Sequence, residues 1–157
     1  MFRKTFFTSK LFSPKKVDGV KINFRGATKK GKWLVEELIK RGAWVDLTHS
    51  SDLFQKDILP ILEKYNHPIL FTHVSLRKYY QAERALSKWA IKQIQEKEGV
   101  VGLMPSEEML VDTEIPDMYC PEQCRPCQGG TPAFVSQWNE LAAQIGRKSI
   151  VLGSDFN

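Results

Sequence analysis

The sequence predicts an α/β protein built on parallel strands, and three observations predict it. From Gly31 onward, stretches with apolar residues at helical spacing alternate with short apolar runs. Successive short runs are separated by a dozen or more residues, the length of a crossover connection, which requires parallel strands joined with right-handed chirality. Runs such as "HPILF" and "SIVLG" are apolar on both faces, as strands covered on both sides are. Two architectures satisfy this pattern, an open doubly wound sheet and part of a (β/α)8 barrel. No G-x-G-x-x-G or G-x4-G-K-[ST] turn follows a strand, so the usual nucleotide sites of the open sheet are missing.

The elements follow in order. "GKWLVEELIKRG" places Trp33, Leu34, Leu38 and Ile39 on one helical face, with Gly42 as the stop. "AWVDLTHSS" reads as a first strand. "SDLFQKDILPILEKY" reads as a helix capped by Ser50 or Ser51, with Leu53, Ile58, Ile61 and Leu62 inward and a kink at Pro60. "HPILFTHVS" is a second strand with Pro68 at its start, where a missing N–H does least harm. "ERALSKWAIKQIQEKEG" carries Leu86, Trp89, Ala90 and Ile94 at helical spacing and ends at Gly99. "VVGLMP" is a third strand. A helix starts at Thr131 with Pro132 in its first turn, and "KSIVLGSDFN" is a fourth strand.

Charge is distributed unevenly. Residues 1–40 carry eleven Lys and Arg against three acids, whereas residues 41–157 carry twelve against fifteen. The net charge of +5 is therefore an N-terminal property, and residues 1–25 read as a basic, poorly ordered arm. No RNP, zinc-finger or helix-turn-helix pattern accompanies it, so no nucleic-acid partner is expected. No stretch has the apolar core of a secretory signal or the roughly 20 apolar residues of a membrane span. Three cysteines in one short segment do not make a disulfide framework, and a reducing cytoplasm is the expected location.

The strand ends carry the chemistry. "WVDLTHSS" ends on His49, "ILFTHVS" on His73 and "IVLGSDFN" on Asp155. Parallel α/β folds gather their sites at the C-terminal ends of strands, so these side chains are expected at one mouth. Two imidazoles and a carboxylate suit zinc and related divalent metals, and an open coordination position allows hydrolysis. His67 lies at the opposite strand end and reads as structural. Glu107 and Glu108, after the third strand, read as solvated loop acids.

This pattern resembles the later half of the metal site in the amidohydrolase superfamily. The wording of "GATKKGKWLVEELIKRGAWVDLTHSS", "PILFTHVS" and "IVLGSDFN" is similar to the membrane (renal-type) dipeptidases, the M19 metallopeptidase family. There a G-L-T-x-x-G helix leads into D-L-S-H, a second strand ends in F-S-H-S, and the last barrel strand reads G-G-D-F-D-G. The resemblance covers residues 26–157, without a contribution from 104–130. It implies a partial (β/α)8 (TIM-type) barrel of about four parallel strands. It also implies that His49 and His73 are ligands of the second ion of a binuclear zinc site and that Asp155 contacts the first ion and moves the proton. Arg84, eleven residues after His73, would bind the carboxylate of a small peptide substrate, as a planar guanidinium fork suits. The "ALSKW" that follows departs from the family's Asn and Pro.

The family's H-x-D strand and bridging glutamate have no counterpart before residue 26. The chain is therefore expected to be the C-terminal half of a barrel, a fragment or a decayed relative, inactive alone. Open strand edges favour self-association or pairing with an N-terminal half. A noncatalytic binding module is the alternative. A remote second alternative comes from "YCPEQCRPCQGG", where Cys120, Cys124 and Cys127 have the C-x3-C-x2-C spacing of radical S-adenosylmethionine enzymes. The segment before them is not strand-like, and only one helix and one strand follow. The cysteines are instead placed in a long loop, residues 105–130, overhanging the mouth, as a zinc staple or a redox-sensitive or inert lid.

Overall fold

The computed structural model describes residues 16–110 and 130–155. A small antiparallel hairpin opens this region, β1 (Lys16–Val17) pairing with β2 (Val20–Lys21). Asp18 and Gly19 take positive φ in its turn. Val20 and Ile22 are buried, so the expected basic arm is anchored to the core from Lys16 onward. Asp-Gly with positive φ at both positions is the two-residue turn whose twist matches that of the flanking strands, which accounts for the hairpin here.

Each of the next three helices has a polar cap that explains its start. Thr28 caps α1 (Lys29–Lys40), its side chain accepting from Gly31 N at 3.0 Å. Gly42, at φ 77°, closes the helix: its N–H donates to Ile39 O and that of Ala43 to Leu38 O. Ser51 caps α2 (Asp52–Lys64), and Asn66 takes the left-handed position after it. The helix continues through Pro60, which is exposed. Ser87 caps α3 (Lys88–Glu96). Here the left-handed closing residue is Glu98, not Gly99. Gly99 is required for a different reason: a Cβ on it would lie 2.6 Å from Ile69 O.

The sheet is parallel and ordered β3 (Leu70–Val74), β4 (Val100–Leu103), β5 (Ile150–Leu152). Each strand lies beside its predecessor in the chain, as in an arc of a (β/α)8 barrel, without a reversal of order. The first expected strand, in "AWVDLTHSS", is reduced to one parallel bridge from Asp46 to Leu70. The physical reason is that Asp46 and Thr48 turn their side chains onto the neighbouring backbone: Thr72 N donates to Asp46 Oδ1 at 3.1 Å and to Thr48 Oγ1 at 2.9 Å. Side-chain acceptors replace the ladder.

The core joins α2, α3, the sheet and α5 (Gly130–Ile145) through Ile58, Leu62, Phe71, Ile94, Val101 and Leu141, all buried. Each such side chain contributes about 1.5–3 kcal/mol of burial. On α1 the predicted inward face is corrected. Val35 is buried and Ile39 packs on the core, whereas Trp33, Leu34 and Leu38 are 62%, 52% and 41% exposed. The apolar stripe of α1 is wider than the surface available to cover it.

A short helix, α4 (Glu107–Leu110), begins the segment expected as a loop over 105–130, and its Met109 and Leu110 are buried. Gln137 of α5 is fully buried and ties this region together, donating to Leu110 O at 2.7 Å and accepting from Leu76 N at 2.9 Å. A 3-10 turn (Arg147–Ser149) leads from α5 into β5.

Candidate metal and substrate site

β3 is irregular where it reaches the site. Phe71 pairs with Val101 and Val74 with Leu103, so Thr72 and His73 together oppose the single residue Gly102. The extra residue is a β-bulge, which re-aims a side chain that strict alternation would place elsewhere. Two glycines make room for it. A Cβ on Gly102 would lie 1.8 Å from Thr72 O, and one on Gly153 2.0 Å from the same atom. Only hydrogen fits at either position.

His49 reaches the same place by another route. It follows the Asp46 bridge in a turn at φ 64°, and Asp155 follows β5 at φ 53°. The left-handed region is uncommon for residues other than glycine, though His and Asp tolerate it better than most. Both residues thus use an unusual backbone to turn their side chains toward His73. The result is a close group: His49 Nε2 lies 2.9 Å from His73 Nε2, and His73 Nε2 lies 3.7 Å from Asp155 Oδ2. The rings meet edge to face, with centroids 4.9 Å apart.

His73 is largely covered, while the side chain of Asp155 is half exposed. Burial, then the positive charge of Arg84 and the proximity of the titratable His73 ring, lower the His49 pKa from its ordinary value, against the opposing pull of Asp155 and Asp46. A neutral imidazole with an available lone pair is the form that binds a metal. Two imidazoles and a carboxylate fit the donor chemistry of a divalent transition metal. Among the described residues, no group of three or more His, Cys, Asp or Glu is gathered closely enough to hold an ion by itself.

Beside His49 a cleft of about 600 Å³ is bordered by Thr48, Ser50, Arg25, Glu83 and Arg84. Arg84 precedes α3 and borders this cleft. Its positive charge acts on His49 across this cleft. Its placement depends on Arg77, which the sequence reading did not single out. Arg77 and Asp52 are buried and joined by two parallel hydrogen bonds, Nη1 to Oδ2 at 2.8 Å and Nη2 to Oδ1 at 2.7 Å. The same guanidinium donates to Glu83 O and Ala85 O, on both sides of Arg84. Glu83 in turn accepts from Asn23 N and Asp52 N, so its charge is engaged by backbone.

His67 is structural as expected, accepting from Val45 N at 3.3 Å, with its other ring nitrogen 2.8 Å from Pro68 O. Cys120, Cys124 and Cys127 lie outside the described residues, as do the side chains of Glu107 and Glu108. Asp46, Thr48 and Thr72 were also missed. A sequence signal for them existed: a threonine precedes each of the two clustered histidines, in "LTHSS" and "FTHVS".

A family model described as membrane dipeptidase (peptidase family M19) matches residues 4–157, a span that begins well before residue 26. No curated protein gives a significant match. Among solved structures, a metallo peptidase from Rhodobacter sphaeroides liganded with a phosphinate mimic of the dipeptide L-Ala-D-Ala is similar with a TM-score of 0.67 and 21% identity, over 88% of this chain and 36% of that one. The probable dipeptidase PvdM from Pseudomonas aeruginosa is similar with a TM-score of 0.65 and 18% identity, over 84% of this chain and 43% of that one. An amidohydrolase from Pseudomonas aeruginosa has a TM-score of 0.62 and 17% identity, over 84% and 36%. At these identities the likeness is one of fold, and the chain spans well under half the length of each of these structures.

Proposed function

The chain belongs to the membrane dipeptidase family, peptidase family M19, and from that premise we propose that it carries the histidine, aspartate and arginine side of a zinc-dependent dipeptidase site. The observation that carries this reading is the meeting of His49 and His73 at Nε2, beside Asp155, at the C-terminal ends of parallel strands. His49 and His73 would hold one ion of a binuclear zinc centre, and Asp155 would contact the other. When bound, the metal supplies Lewis acidity to the scissile carbonyl and to the attacking water.

The chain's own residues do the rest. Arg84 binds the terminal carboxylate of the peptide and fixes the distance from that end to the scissile bond. Asp155, half exposed at the mouth, takes the proton of the attacking water and returns it to the departing amine. The cleft beside His49 accommodates a small peptide.

The histidine pair and Asp155 form an incomplete shell among the described residues, and the remaining ligands would come from outside them, for which a separate N-terminal half is the proposed source. Exposed Val151 and Leu152 on β5, and Trp33 and Leu34 on α1, offer apolar surface for such pairing or for self-association. No helix among the described residues is long and apolar enough to cross a membrane. A cytoplasmic location is proposed on the clustered cysteines alone. A noncatalytic module is the second reading, favoured by the same incomplete shell.

The test is zinc binding and dipeptide hydrolysis by the 157-residue chain, with and without an N-terminal half from a family member. Weak zinc binding, negligible hydrolysis alone and restored hydrolysis on complementation are expected. Robust hydrolysis by the chain alone would overturn the partial-site reading, and zinc binding that His49→Ala and His73→Ala leave unchanged would overturn the metal assignment.

A further inference from the structure

A chain of hydrogen bonds runs behind His73, away from the cleft. Asp46 Oδ1 accepts from Thr48 N at 2.9 Å and from Thr72 N at 3.1 Å, and Asp46 Oδ2 accepts from the Thr72 hydroxyl. Thr72 Oγ1 lies 2.9 Å from His73 Nδ1. Burial pushes the Asp46 pKa up, but the hydrogen bonds from Thr72 and Thr48 outweigh it and the net shift is downward.

For a neutral His73 ring the hydrogen inventory then has one solution. A carboxylate only accepts, and a threonine hydroxyl has a single hydrogen. That hydrogen is directed to Asp46, so Thr72 Oγ1 meets His73 Nδ1 as an acceptor. Nδ1 must therefore carry the ring hydrogen, and the lone pair is left on Nε2. That is the atom 2.9 Å from His49 Nε2 and 3.7 Å from Asp155 Oδ2.

We propose that Asp46 and Thr72 are positioning residues that lock His73 in its Nδ1–H tautomer and so hold the Nε2 lone pair toward a divalent metal. The inference rests on the reading of His73 as a metal ligand. Its structural basis is the bulge in β3, which puts Thr72 and His73 opposite one glycine and lets Thr72 face Asp46. Among the described residues no comparable relay backs His49, whose Nε2 hydrogen points at the His73 lone pair in the metal-free chain. His73 is the preset ligand and His49 the one that adjusts.

The tautomer is read directly by long-range 1H–15N NMR of the metal-free 157-residue chain. In the wild type, His73 Nδ1 is expected to be protonated and Nε2 unprotonated. Asp46→Asn keeps the shape, but the amide oxygen is needed by the two backbone N–H groups. Its NH2 then faces Thr72, reverses the hydroxyl and drives His73 to the Nε2–H form. Thr72→Val removes the relay and moves His73 the same way, and Thr72→Ser restores the wild-type tautomer. Zinc affinity, measured in the same samples, should fall roughly 10- to 100-fold in the first two variants and recover in the third. A wild-type His73 protonated at Nε2, or a tautomer unmoved by Asp46→Asn, overturns the proposal. His73→Ala separates the two ideas: unchanged zinc affinity there defeats the ligand reading, while the tautomer result still decides the relay.

Discussion

His49 and His73, 24 residues apart in the chain, meet Nε2 to Nε2 at 2.9 Å with their ring planes 61° apart. His49→Ala and His73→Ala are each expected to lower zinc affinity by roughly tenfold or more, the floor set by losses from outer-shell changes. Competition with a chromophoric chelator measures this. Wild-type affinity in either variant would remove that residue from the site.

The metal-free chain should lose stability on mild acidification through His49. Its folded pKa is below its ordinary value, chiefly from burial and then from Arg84. As pH falls past about 6.5 the unfolded chain takes the proton first, so stability declines until the folded pKa is reached. In Arg84→Ala one depressing charge is gone, and the His49 pKa should move up in an NMR titration. An unmoved value would show that Arg84 does not act on His49.

The buried Asp52–Arg77 pair should be costly to break. Asp52→Asn or Arg77→Ala leaves a buried group without its partner, and urea denaturation should report a loss of about 3–5 kcal/mol. Because Arg77 also holds Glu83 O and Ala85 O, the variant should free the segment carrying Arg84. Faster amide exchange at residues 83–86 in Arg77→Lys would show this where folding survives. Unchanged exchange would mean that other contacts hold Arg84.

Gly153→Ala tests the close approach beneath the site. The new methyl would lie 2.0 Å from Thr72 O, and backbone has to move to admit it. A loss of about 1–3 kcal/mol is expected, together with a changed His73 NMR environment. Gly146→Ala is the control for space: nothing lies within 4 Å of a Cβ there, although its φ of 80° carries its own strain. A silent Gly153→Ala would show that the strands are not held so close.

Much of this was legible in the residues. Alternating periodicity placed α2, α3, α5 and the three paired strands, because apolar spacing is set by which face must be buried. The types and positions of His49, His73 and Asp155 also marked them as candidates, since parallel strands end on a common side, while Arg84 was marked only by the family resemblance. The exposed stripe of α1 was not legible: spacing shows which residues share a face, but not whether another element lies opposite. Nor was the loss of the first strand, because Asp46 and Thr48 compete with the backbone for the same N–H groups.

By itself, then, the sequence determined the α/β alternation, the parallel sense of the strands and the set of candidate ligands. Only the tertiary structure decided the bulge at Thr72–His73, the relay from Asp46, and the Arg77 clamp on the Arg84 segment. Periodicity and residue type are properties of a single segment. A bulge or a relay exists only when the hydrogen-bonding capacity of one segment is matched, atom by atom, against another that is distant in the chain.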